Sequence, residues 1–211
     1  MKKAIITGAS SGLGKEIGNL LKEKDVEVVN ISTSKSEFID IKTDLGKENE
    51  LLNAIQKIKD EHSNFDYLIL NAGIMPLADI GKINYDIDKL FKINVTSSIK
   101  IVNELIDLIK NNKSDIVVIG STSSFKPNPS HGVYTSTKHA TDGFIKSLQM
   151  ELKDIRVIGF HPGGFNSNLR NGIIKEGYMD PKDLAKILIN ILELPKNIEV
   201  SEIILNRKKK D

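Results

Sequence analysis

Residues 4–21 read AIITGASSGLGKEIGNLL, so a short apolar run, a glycine-rich turn and an amphipathic segment follow one another directly. The apolar run predicts a strand, and Leu13, Ile17 and Leu21 recur at helical spacing. Glycines at positions 8, 12 and 14 would let backbone amides approach a pyrophosphate, which would face the positive end of the following helix. The stretch therefore predicts a strand–turn–helix unit that binds a dinucleotide, with a purely structural glycine turn as the alternative.

The same alternation of strand and helix continues along the chain. Further helices are predicted at Leu51–Ile58, Asn84–Lys110, Val133–Leu152 and Pro181–Leu192. Further strands are predicted at Val26–Ile31, Phe38–Ile41, Tyr67–Leu70, Ile116–Ile119, Arg156–Phe160 and Val200–Leu205. We therefore predict an α/β fold in which a parallel sheet lies between two layers of helices, in a single domain over residues 1–211.

The composition excludes several classes of protein. With 211 residues, 39% of them hydrophobic and 27% charged, the chain is expected to be a soluble globular protein with a sizeable core. A net charge of +2 provides no strong field, so neither nucleic acid nor a membrane is an expected partner. The absence of cysteine excludes disulfides, thiolate metal sites and cysteine nucleophiles. The first apolar run is too short for a signal peptide and no run has the length of a membrane span, so the expected location is cytoplasmic.

Tyr134 and Lys138 are four residues apart in a segment of helical periodicity, so they would share one helix face. An ammonium beside a phenol favours the phenolate and lowers a pKa that is about 10 when unperturbed. Such a tyrosine could donate or accept a proton near neutral pH. Together with the glycine-rich turn, the pair suggests hydride transfer coupled to proton transfer, whereas an ordinary pair on a helix surface is the alternative.

Two further polar motifs follow predicted strands. Asn71-Ala72-Gly73 comes directly after the strand Tyr67–Leu70, where small residues would let the backbone approach a flat ligand; an ordinary turn is the alternative. Ser121 lies just beyond the fifth strand and could hold a substrate carbonyl beside Tyr134, although spacing alone does not distinguish it from the hydroxyls of residues 122–124. Because ligands of open α/β sheets bind beyond the carboxyl ends of the strands, the shared position of these motifs predicts one site.

Taken together, the motifs resemble those of the short-chain dehydrogenase/reductase family from Met1 to about Leu205. The residues that carry the resemblance stand in the family's order and at its spacings: Thr7-Gly8-x-x-x-Gly12-x-Gly14, Asp44-Leu45, Asn71-Ala72-Gly73, Asn94, Ser121, Tyr134-x-x-x-Lys138 and Pro162-Gly163. Each motif is weak, whereas the ordered set is specific. The resemblance implies a Rossmann fold with a doubly wound, seven-stranded parallel sheet, a nicotinamide cofactor and a small-molecule carbonyl or alcohol substrate.

The resemblance also implies roles for four catalytic residues. Tyr134 would be the acid/base residue, and Lys138 would hold the ribose hydroxyls and keep the tyrosine acidic. Ser121 would bind and polarise the carbonyl, and Asn94 would belong to a proton relay through water and Lys138. Hydride would move to the carbonyl carbon while hydrogen bonds from Ser121 and Tyr134 meet the negative charge on oxygen. This chemistry needs no metal, and no metal ligands are predicted.

The cofactor residues implied by the resemblance come from several turns, with Asp44 at the adenine, residues 71–73 along the adenosine half and Pro162-Gly163 beside the nicotinamide. The predicted set is Thr7, Gly8, Ser10, Ser11, Gly12, Leu13, Gly14, Ser32, Thr33, Ser34, Asp44, Leu45, Asn71, Ala72, Gly73, Tyr134, Lys138, Pro162, Gly163, Phe165 and Ser167. In the family, an acid near the end of the second strand holds the ribose 2′-hydroxyl and repels a 2′-phosphate. Residues 30–35 contain hydroxyls and a lysine but no acid, so NADP(H) is predicted over NAD(H).

The segment after Pro162 departs from the family's frequent Pro-Gly-x-Val-x-Thr pattern, because it reads PGGFNS over residues 162–167. Ser167 would still offer a hydroxyl to the carboxamide. The substrate segment, about residues 163–179, is short, which suggests a small or loosely held substrate or one completed by a partner subunit. His131 is interpreted as a plain loop residue. Apolar cleft walls or, with equal weight, ordinary packing are predicted for Ile74, Met75, Phe125 and Phe165.

Relatives in the family pair through long helices, which are matched here by residues 84–110 and 133–152. The resemblance therefore implies a homodimer or a homotetramer. Two other classes of function stay open, namely a catalytically idle NADP-binding sensor and an interaction protein on the same fold. The presence of all four catalytic residue types argues against the sensor.

Overall fold

The computed structural model describes residues 1–167 and 176–208. The strands are β1 (Lys2–Thr7), β2 (Val26–Ser32), β3 (Ile39–Lys42), β4 (Tyr67–Leu70), β5 (Asp115–Ile119), β6 (Val157–Pro162) and β7 (Glu202–Leu205). The α-helices are α1 (Gly12–Lys22), α2 (Glu48–Glu61), α3 (Ile87–Phe91), α4 (Ser97–Asn112), α5 (Gly132–Glu151) and α6 (Pro181–Leu192). Within the described ranges, none of the helices has the length and apolar character needed to cross a membrane.

The strands form one seven-stranded parallel sheet in the order β3-β2-β1-β4-β5-β6-β7. This confirms the predicted Rossmann fold in a single domain. The chain moves outward from β1 in one direction through β2 and β3, and from β4 onward it moves in the other. The order therefore reverses between β1 and β4, and such a reversal opens a crevice beyond the carboxyl ends of the strands.

Successive residues of β1 point to opposite faces of the sheet and enter two separate cores. Ile5 belongs to the core beneath α2, α4 and α5, which includes Leu105. Ile6 belongs to the core beneath α1 and α6, together with Leu13 and Leu188. Because both faces are covered, the central strands are apolar throughout, as the continuous apolar runs in the sequence indicated.

The predicted helix over residues 84–110 is divided in the structure. It begins only after Asp86, whose side chain accepts a hydrogen bond from the Lys89 backbone and caps α3. Between α3 and α4, the residues Lys92–Thr96 form a π-helical turn. Such turns are rare in proteins as a whole, but many of those known lie at functional sites. This one contains Asn94.

The connection between β2 and β3 consists of residues 33–38, all of them described, and contains no helix. Parallel strands are usually joined by a dozen residues or more. Here Phe38 occupies the space beside α1, where Gly18 leaves room for its ring, since a Cβ on Gly18 would lie 2.6 Å from Phe38 Cζ. The short connection keeps the polar residues that follow β2 close to the crevice.

Candidate active site

A cleft of about 1080 Å³ opens where the strand order reverses. The predicted cofactor residues that line it are Gly8, Ser10, Ser11, Gly12, Leu13, Ser32, Thr33, Asp44, Leu45, Asn71, Ala72, Gly73, Phe165 and Ser167. The cleft wall, as far as the chain is described, does not include Thr7, Gly14, Ser34, Asn94, Ser121, Tyr134, Lys138, Pro162 or Gly163. The structure therefore brings most of the predicted cofactor residues together and places the four predicted catalytic residues outside this wall.

The turn between β1 and α1 depends on its glycines, as Gly8 and Gly14 illustrate. Gly8 has a φ of 74°, in the left-handed region that glycine adopts without a steric penalty. Gly14 approaches the turn so closely that a Cβ there would lie 2.4 Å from the Gly8 carbonyl oxygen and 2.5 Å from Asn71 Nδ2. The N–H groups of the first turn of a helix have no acceptor within the helix. With Gly12 and Leu13 in the cleft wall, this end of α1 can bind an anionic group.

Gly14→Ala is expected to lower the free energy of unfolding by roughly 2 kcal/mol, because its methyl group would collide with the backbone of Gly8. The matched control is Gly143→Ala in α5, where nothing lies within 4 Å of an added Cβ. Alanine is favoured over glycine in a helix by up to about 1 kcal/mol, so the control should be neutral or more stable. Urea denaturation of both variants measures the difference, and unchanged stability of Gly14→Ala would contradict the close packing of this turn.

Thr7 and Asn71 join the ends of β1 and β4. The Thr7 hydroxyl accepts hydrogen bonds from the backbone N–H groups of Asn71 and Ala72 at 2.9 and 3.0 Å. Asn71 Nδ2 donates to the carbonyl oxygens of Thr7 and Gly8 at 3.0 and 3.1 Å. These contacts hold the glycine turn against the segment that begins with Asn71, which lines the cleft.

Asn30 organises the end of β2. Its Oδ1 accepts a hydrogen bond from the Ala9 backbone at 2.8 Å, and its Nδ2 donates to Ser32 Oγ at 2.9 Å and to Asp40 Oδ1 at 2.8 Å. Asp40 also accepts hydrogen bonds from the backbone and the hydroxyl of Ser36. Burial raises the pKa of Asp40, but the hydrogen bonds from Ser36 and Asn30 outweigh it and hold this pKa below its usual value.

The sequence indicated no acid at the end of β2, and the pairing of β2 with β3 brings Asp40 opposite Asn30. Its carboxylate is engaged by Asn30 and Ser36, and Asp40 is not among the described residues of the cleft wall. Ser32 and Thr33 do line the cleft. At the end of β2, the described part of the cleft is therefore lined by hydroxyl residues and not by the Asp40 carboxylate.

Asp44 lies in the cleft wall beyond β3. Its Oδ1 accepts a hydrogen bond from the Gly46 backbone at 2.9 Å, and its Oδ2 lies 3.3 Å from Lys89 Nζ. The Gly46 N–H and the Lys89 ammonium hold the pKa of this carboxyl below its usual value. Asp44 is thus an anionic acceptor with a fixed orientation at one end of the cleft.

The structure places Tyr134 and Lys138 on one buried face of α5. Lys138 Nζ lies 5.9 Å from the centroid of the Tyr134 ring and donates a hydrogen bond to the Ile119 carbonyl at 2.9 Å. Burial lowers the pKa of Lys138 to about 8. At pH 7 its side chain is therefore mainly a cation, held beside the phenol.

Asn94 links the wall of the cleft to α5. Its Oδ1 accepts a hydrogen bond from the Ile74 backbone at 2.8 Å, and its Nδ2 donates to the Ile74 carbonyl at 2.9 Å and to Thr137 Oγ1 at 3.1 Å. Thr137 Oγ1 in turn donates to the Tyr134 carbonyl at 2.7 Å. Both hydrogens of the Asn94 amide are used, so Asn94 fastens the segment at Ile74 to the turn of α5 that carries Tyr134. No sequence motif pointed to Thr137.

Ser121 stands directly after β5, at the start of a short helical turn. Its Oγ accepts a hydrogen bond from the Ser123 backbone at 3.0 Å, which orients the hydroxyl so that its own hydrogen can donate to a carbonyl oxygen. Ser124 Oγ donates to the Lys138 carbonyl at 2.7 Å. Ser124 thus fastens this turn to α5 and has no hydroxyl hydrogen left for a ligand, whereas the role of Ser121 stays a prediction.

The segment after β6 returns to the edge of the sheet. Pro162 is the last residue of β6, and the Gly163 N–H donates to the Leu205 carbonyl of β7 at 2.7 Å. Within the predicted substrate segment over residues 163–179, residues 168–175 lie outside the described residues. The prediction of a short substrate segment therefore stays a prediction.

Phe165 and Ser167 come from the segment after β6 and line the cleft, with Ser167 next to the glycine turn. Phe165 forms an isolated bridge with Met179, and Ser167 Cβ lies 3.7 Å from the point that a Cβ on Gly12 would occupy. Both residues lie in the cleft wall. A ligand that extends from the turn of α1 would therefore meet Phe165 and Ser167 as well.

Three of the four apolar residues singled out in the sequence, Ile74, Met75 and Phe165, line the cleft. The fourth, Phe125, packs edge-on against His161, with 5.0 Å between ring centroids. His131 precedes α5 in a loop, as interpreted from the sequence, and it also lines the cleft, with its ring centroid 6.4 Å from that of Tyr134. Wall residues that the sequence analysis did not select are Ile31, Thr43, Pro76, Leu77, Tyr85, Asp86, Lys89 and Ile93.

Comparisons with known proteins agree with this geometry. A family model described as short chain dehydrogenase matches residues 2–176. Carbonyl reductase family member 4 of Xenopus laevis is 29% identical, over 92% of each chain. A 3-oxoacyl-(acyl-carrier-protein) reductase of Buchnera aphidicola is 30% identical, over 99% of this chain and 91% of its own. The structure of an alcohol dehydrogenase from the archaeon Thermococcus sibiricus, complexed with 5-hydroxy-NADP, superposes over 100% of both chains with a TM-score of 0.91 at 22% identity, which shows a shared fold.

Proposed function

The chain belongs to the short-chain dehydrogenase family of oxidoreductases, and we propose that it transfers hydride between a nicotinamide cofactor and a small-molecule carbonyl or secondary alcohol. One observation carries the proposal. Asn94 holds Ile74 in the wall of the cleft and, through Thr137, is joined to the turn of α5 that carries Tyr134. The helix turn that carries the proposed proton donor is thereby fixed to the wall of a cleft large enough for a dinucleotide, an arrangement suited to coupled hydride and proton transfer.

The residues of the cleft fit a dinucleotide. The Cβ atoms that Gly8 and Gly14 lack would close the turn that faces the cleft, and the N-terminus of α1 is suited to a pyrophosphate. Asp44 is an acceptor for the adenosine half, and Phe165 and Ser167 are the residues that would face the nicotinamide half. When bound, the nicotinamide cofactor supplies or accepts the hydride.

The side chains of α5, of the turn after β5 and of the π-helical turn then have separate tasks during carbonyl reduction. The Ser121 hydroxyl donates to the carbonyl oxygen and orients it toward Tyr134. The Tyr134 hydroxyl gives its proton to the same oxygen as negative charge develops there. The Lys138 cation beside the ring stabilises the phenolate that remains. Asn94 acts as a positioning residue in this scheme, because its amide hydrogens are bound to Ile74 and Thr137.

A panel of ketones and aldehydes tests the proposal, with NADPH and NADH oxidation followed by absorbance. The Xenopus carbonyl reductase and the Buchnera 3-oxoacyl reductase, as named relatives, support a carbonyl substrate and define two starting classes for the panel. Turnover of any member establishes the reaction class. Cofactor binding without turnover would support the idle sensor, whereas failure of either cofactor to raise the melting temperature would favour an interaction protein.

We further propose that NADP(H) is preferred over NAD(H). Ser32 and Thr33, at the end of β2, line the described part of the cleft. The carboxylate of the neighbouring Asp40 accepts hydrogen bonds from Asn30 and Ser36. The Ser32 hydroxyl already donates to the Ser34 carbonyl at 2.8 Å, whereas the hydroxyl of the exposed Thr33 can donate a hydrogen bond to a phosphate, which a carboxylate at the same place would repel. This arrangement supports a 2′-phosphate at the end of β2.

Thr33→Asp is expected to weaken NADPH binding about tenfold and to leave NADH binding within about twofold, because the new carboxylate would stand beside the 2′-phosphate. Thr33 is exposed and lines the cleft, so the change should not disturb the core. Thr33→Asn is the matched control, since asparagine has the shape of aspartate without its charge. Dissociation constants for both cofactors measure the effect, and equal constants for NADH and NADPH in the wild type would contradict the preference.

A further inference from the structure

Three titratable side chains meet between α5 and the β6–β7 edge of the sheet. Gly159 of β6 pairs with Glu202 of β7, so Glu202 and His161 project to the same face of the sheet, beneath α5. Asp142 approaches them from α5, and each of the three residues offers a ligand atom within 4.8 Å of the others. The cleft residues described above do not include any of the three.

The polar atoms of this cluster lack ordinary partners. Both ring nitrogens of His161, one oxygen of Asp142 and one oxygen of Glu202 are buried, and none of the four makes a hydrogen bond to a described residue. The His161 side chain is 0% exposed. A buried polar atom without a partner destabilises a fold by about 1–3 kcal/mol, so four such atoms at one place require an explanation. A ligand shared by the three side chains provides one.

The charged groups around His161 are compatible with a bound cation. Asp142 and Glu202 face its ring with negative charge, and the ammonium groups of Lys138 and Lys146 act in the opposite sense. Burial is the main reason that the pKa of His161 lies below its usual value. Lys146 Nζ lies 2.6 Å from Asp142 Oδ2, so Oδ1 of Asp142 is left for the cluster. Among the described residues, the Glu202 carboxylate has no ion-pair partner.

We propose that Asp142, His161 and Glu202 bind one divalent transition-metal ion. Two carboxylate oxygens and one imidazole nitrogen form a ligand set that suits Zn²⁺ and its neighbours better than Ca²⁺ or Mg²⁺, which take oxygen ligands. Ligand atoms about 2.1 Å from a tetrahedral zinc lie roughly 3.4 Å from one another, so the side chains would close by about 1 Å onto the ion. The site is independent of hydride transfer.

The backbone around His161 provides space for its ring. A Cβ on Gly120 would lie 2.2 Å from Nδ1, and a Cβ on Gly159 would lie 2.8 Å from Nε2. The two glycines therefore let an imidazole stand where a side chain on either strand would exclude it. His161 directly precedes Pro162, and Asp142 lies one helical turn after Lys138, so a bound ion would fasten α5 to the end of β6.

The test uses the full chain without a histidine tag, treated with a chelator and then titrated with Zn²⁺ by calorimetry. We expect one ion per chain and, at a hundredfold excess over the dissociation constant, a rise in melting temperature of about 5 °C. Asp142→Asn and Glu202→Gln keep the shape of each side chain and should weaken binding at least tenfold. Titration with Co²⁺ provides an independent spectroscopic readout, because d–d absorption reports imidazole and carboxylate ligation directly.

His139→Gln is the matched control, since His139 also lies on α5 but is exposed and outside the cluster. It should bind Zn²⁺ as the wild type does. Absence of stoichiometric binding would overturn the proposal, as would binding that survives in both Asp142→Asn and Glu202→Gln. Carbonyl reductase activity is not part of this readout, so the metal site and the proposed function fail or succeed separately.

Discussion

Tyr134→Phe is expected to reduce kcat for the proposed carbonyl reduction about 10³-fold, because it removes the proposed proton donor while keeping the ring in place. The ring packs 6.4 Å from that of His131, centroid to centroid, and 5.9 Å from Lys138 Nζ. Neither contact needs the hydroxyl, and Tyr134 is not in the described cleft wall. The dissociation constant for NADPH should therefore stay within about twofold of the wild-type value.

Tyr85→Phe is the matched control for this variant, since Tyr85 lines the cleft from a different segment of the chain. It removes a phenolic hydroxyl from the same cleft and should retain most of the activity. Steady-state kinetics combined with fluorescence titration of NADPH separates the two effects. Turnover by Tyr134→Phe at more than a tenth of the wild-type rate would refute the assignment of Tyr134 as the proton donor.

Lys138→Met is expected to abolish turnover and to raise the free energy of unfolding at pH 7 by roughly 2 kcal/mol. Burial lowers the pKa of Lys138 from 10.5 to about 8, and such a shift corresponds to about 3 kcal/mol of destabilisation by the buried charge. Loss of the hydrogen bond to the Ile119 carbonyl offsets about 1 kcal/mol of the gain. The stabilised but inactive variant would show that this fold holds a destabilising charge for function.

The sign of the pH dependence follows from proton linkage. Between pH 8 and 10.5 the unfolded chain binds more protons at Lys138 than the folded chain does, so the stability of the wild type gains from this residue as pH rises. The advantage of Lys138→Met is therefore largest below pH 8 and fades as pH approaches 10.5. Urea denaturation at pH 7 and pH 10 measures it.

Lys153→Met is the matched control for this second variant, because Lys153 is exposed just after α5. Its stability should follow that of the wild type at both pH values. A Lys138→Met variant that is less stable than the wild type at pH 7 would show that the buried ammonium is stabilised by its surroundings, contrary to the expectation.

The fold was predictable from the sequence because its signals are local. The apolar runs at Tyr67–Leu70 and Ile116–Ile119 identified buried strands, and helical periodicity identified most of the helices. The division of residues 84–110 into α3, a π-helical turn and α4 was not predictable, because the extra residue in the turn leaves the apolar pattern nearly unchanged.

The site was predictable in part. Motifs at the ends of strands, such as the glycine turn and residues 71–73, were placed correctly because a parallel sheet brings these ends to one edge. The hydrogen bonds that connect Asn94 through Thr137 to the Tyr134 carbonyl could not be predicted from the sequence, since they depend on how α5 packs against the π-helical turn. The position of Asp40 could not be predicted either, because it depends on the register between β2 and β3.

By itself the sequence determined the class of fold, the order of its elements and the residue types available for hydride and proton transfer, because apolar periodicity and short motifs are properties of neighbouring residues. Only the tertiary structure decided which of those residues meet. It placed a cation inside the protein beside Tyr134, directed the carboxylate of Asp40 to Asn30 and Ser36, and brought Asp142, His161 and Glu202 together from α5, β6 and β7. The physical reason is that burial and long-range register set both the distances and the charge states of side chains that are far apart in the chain.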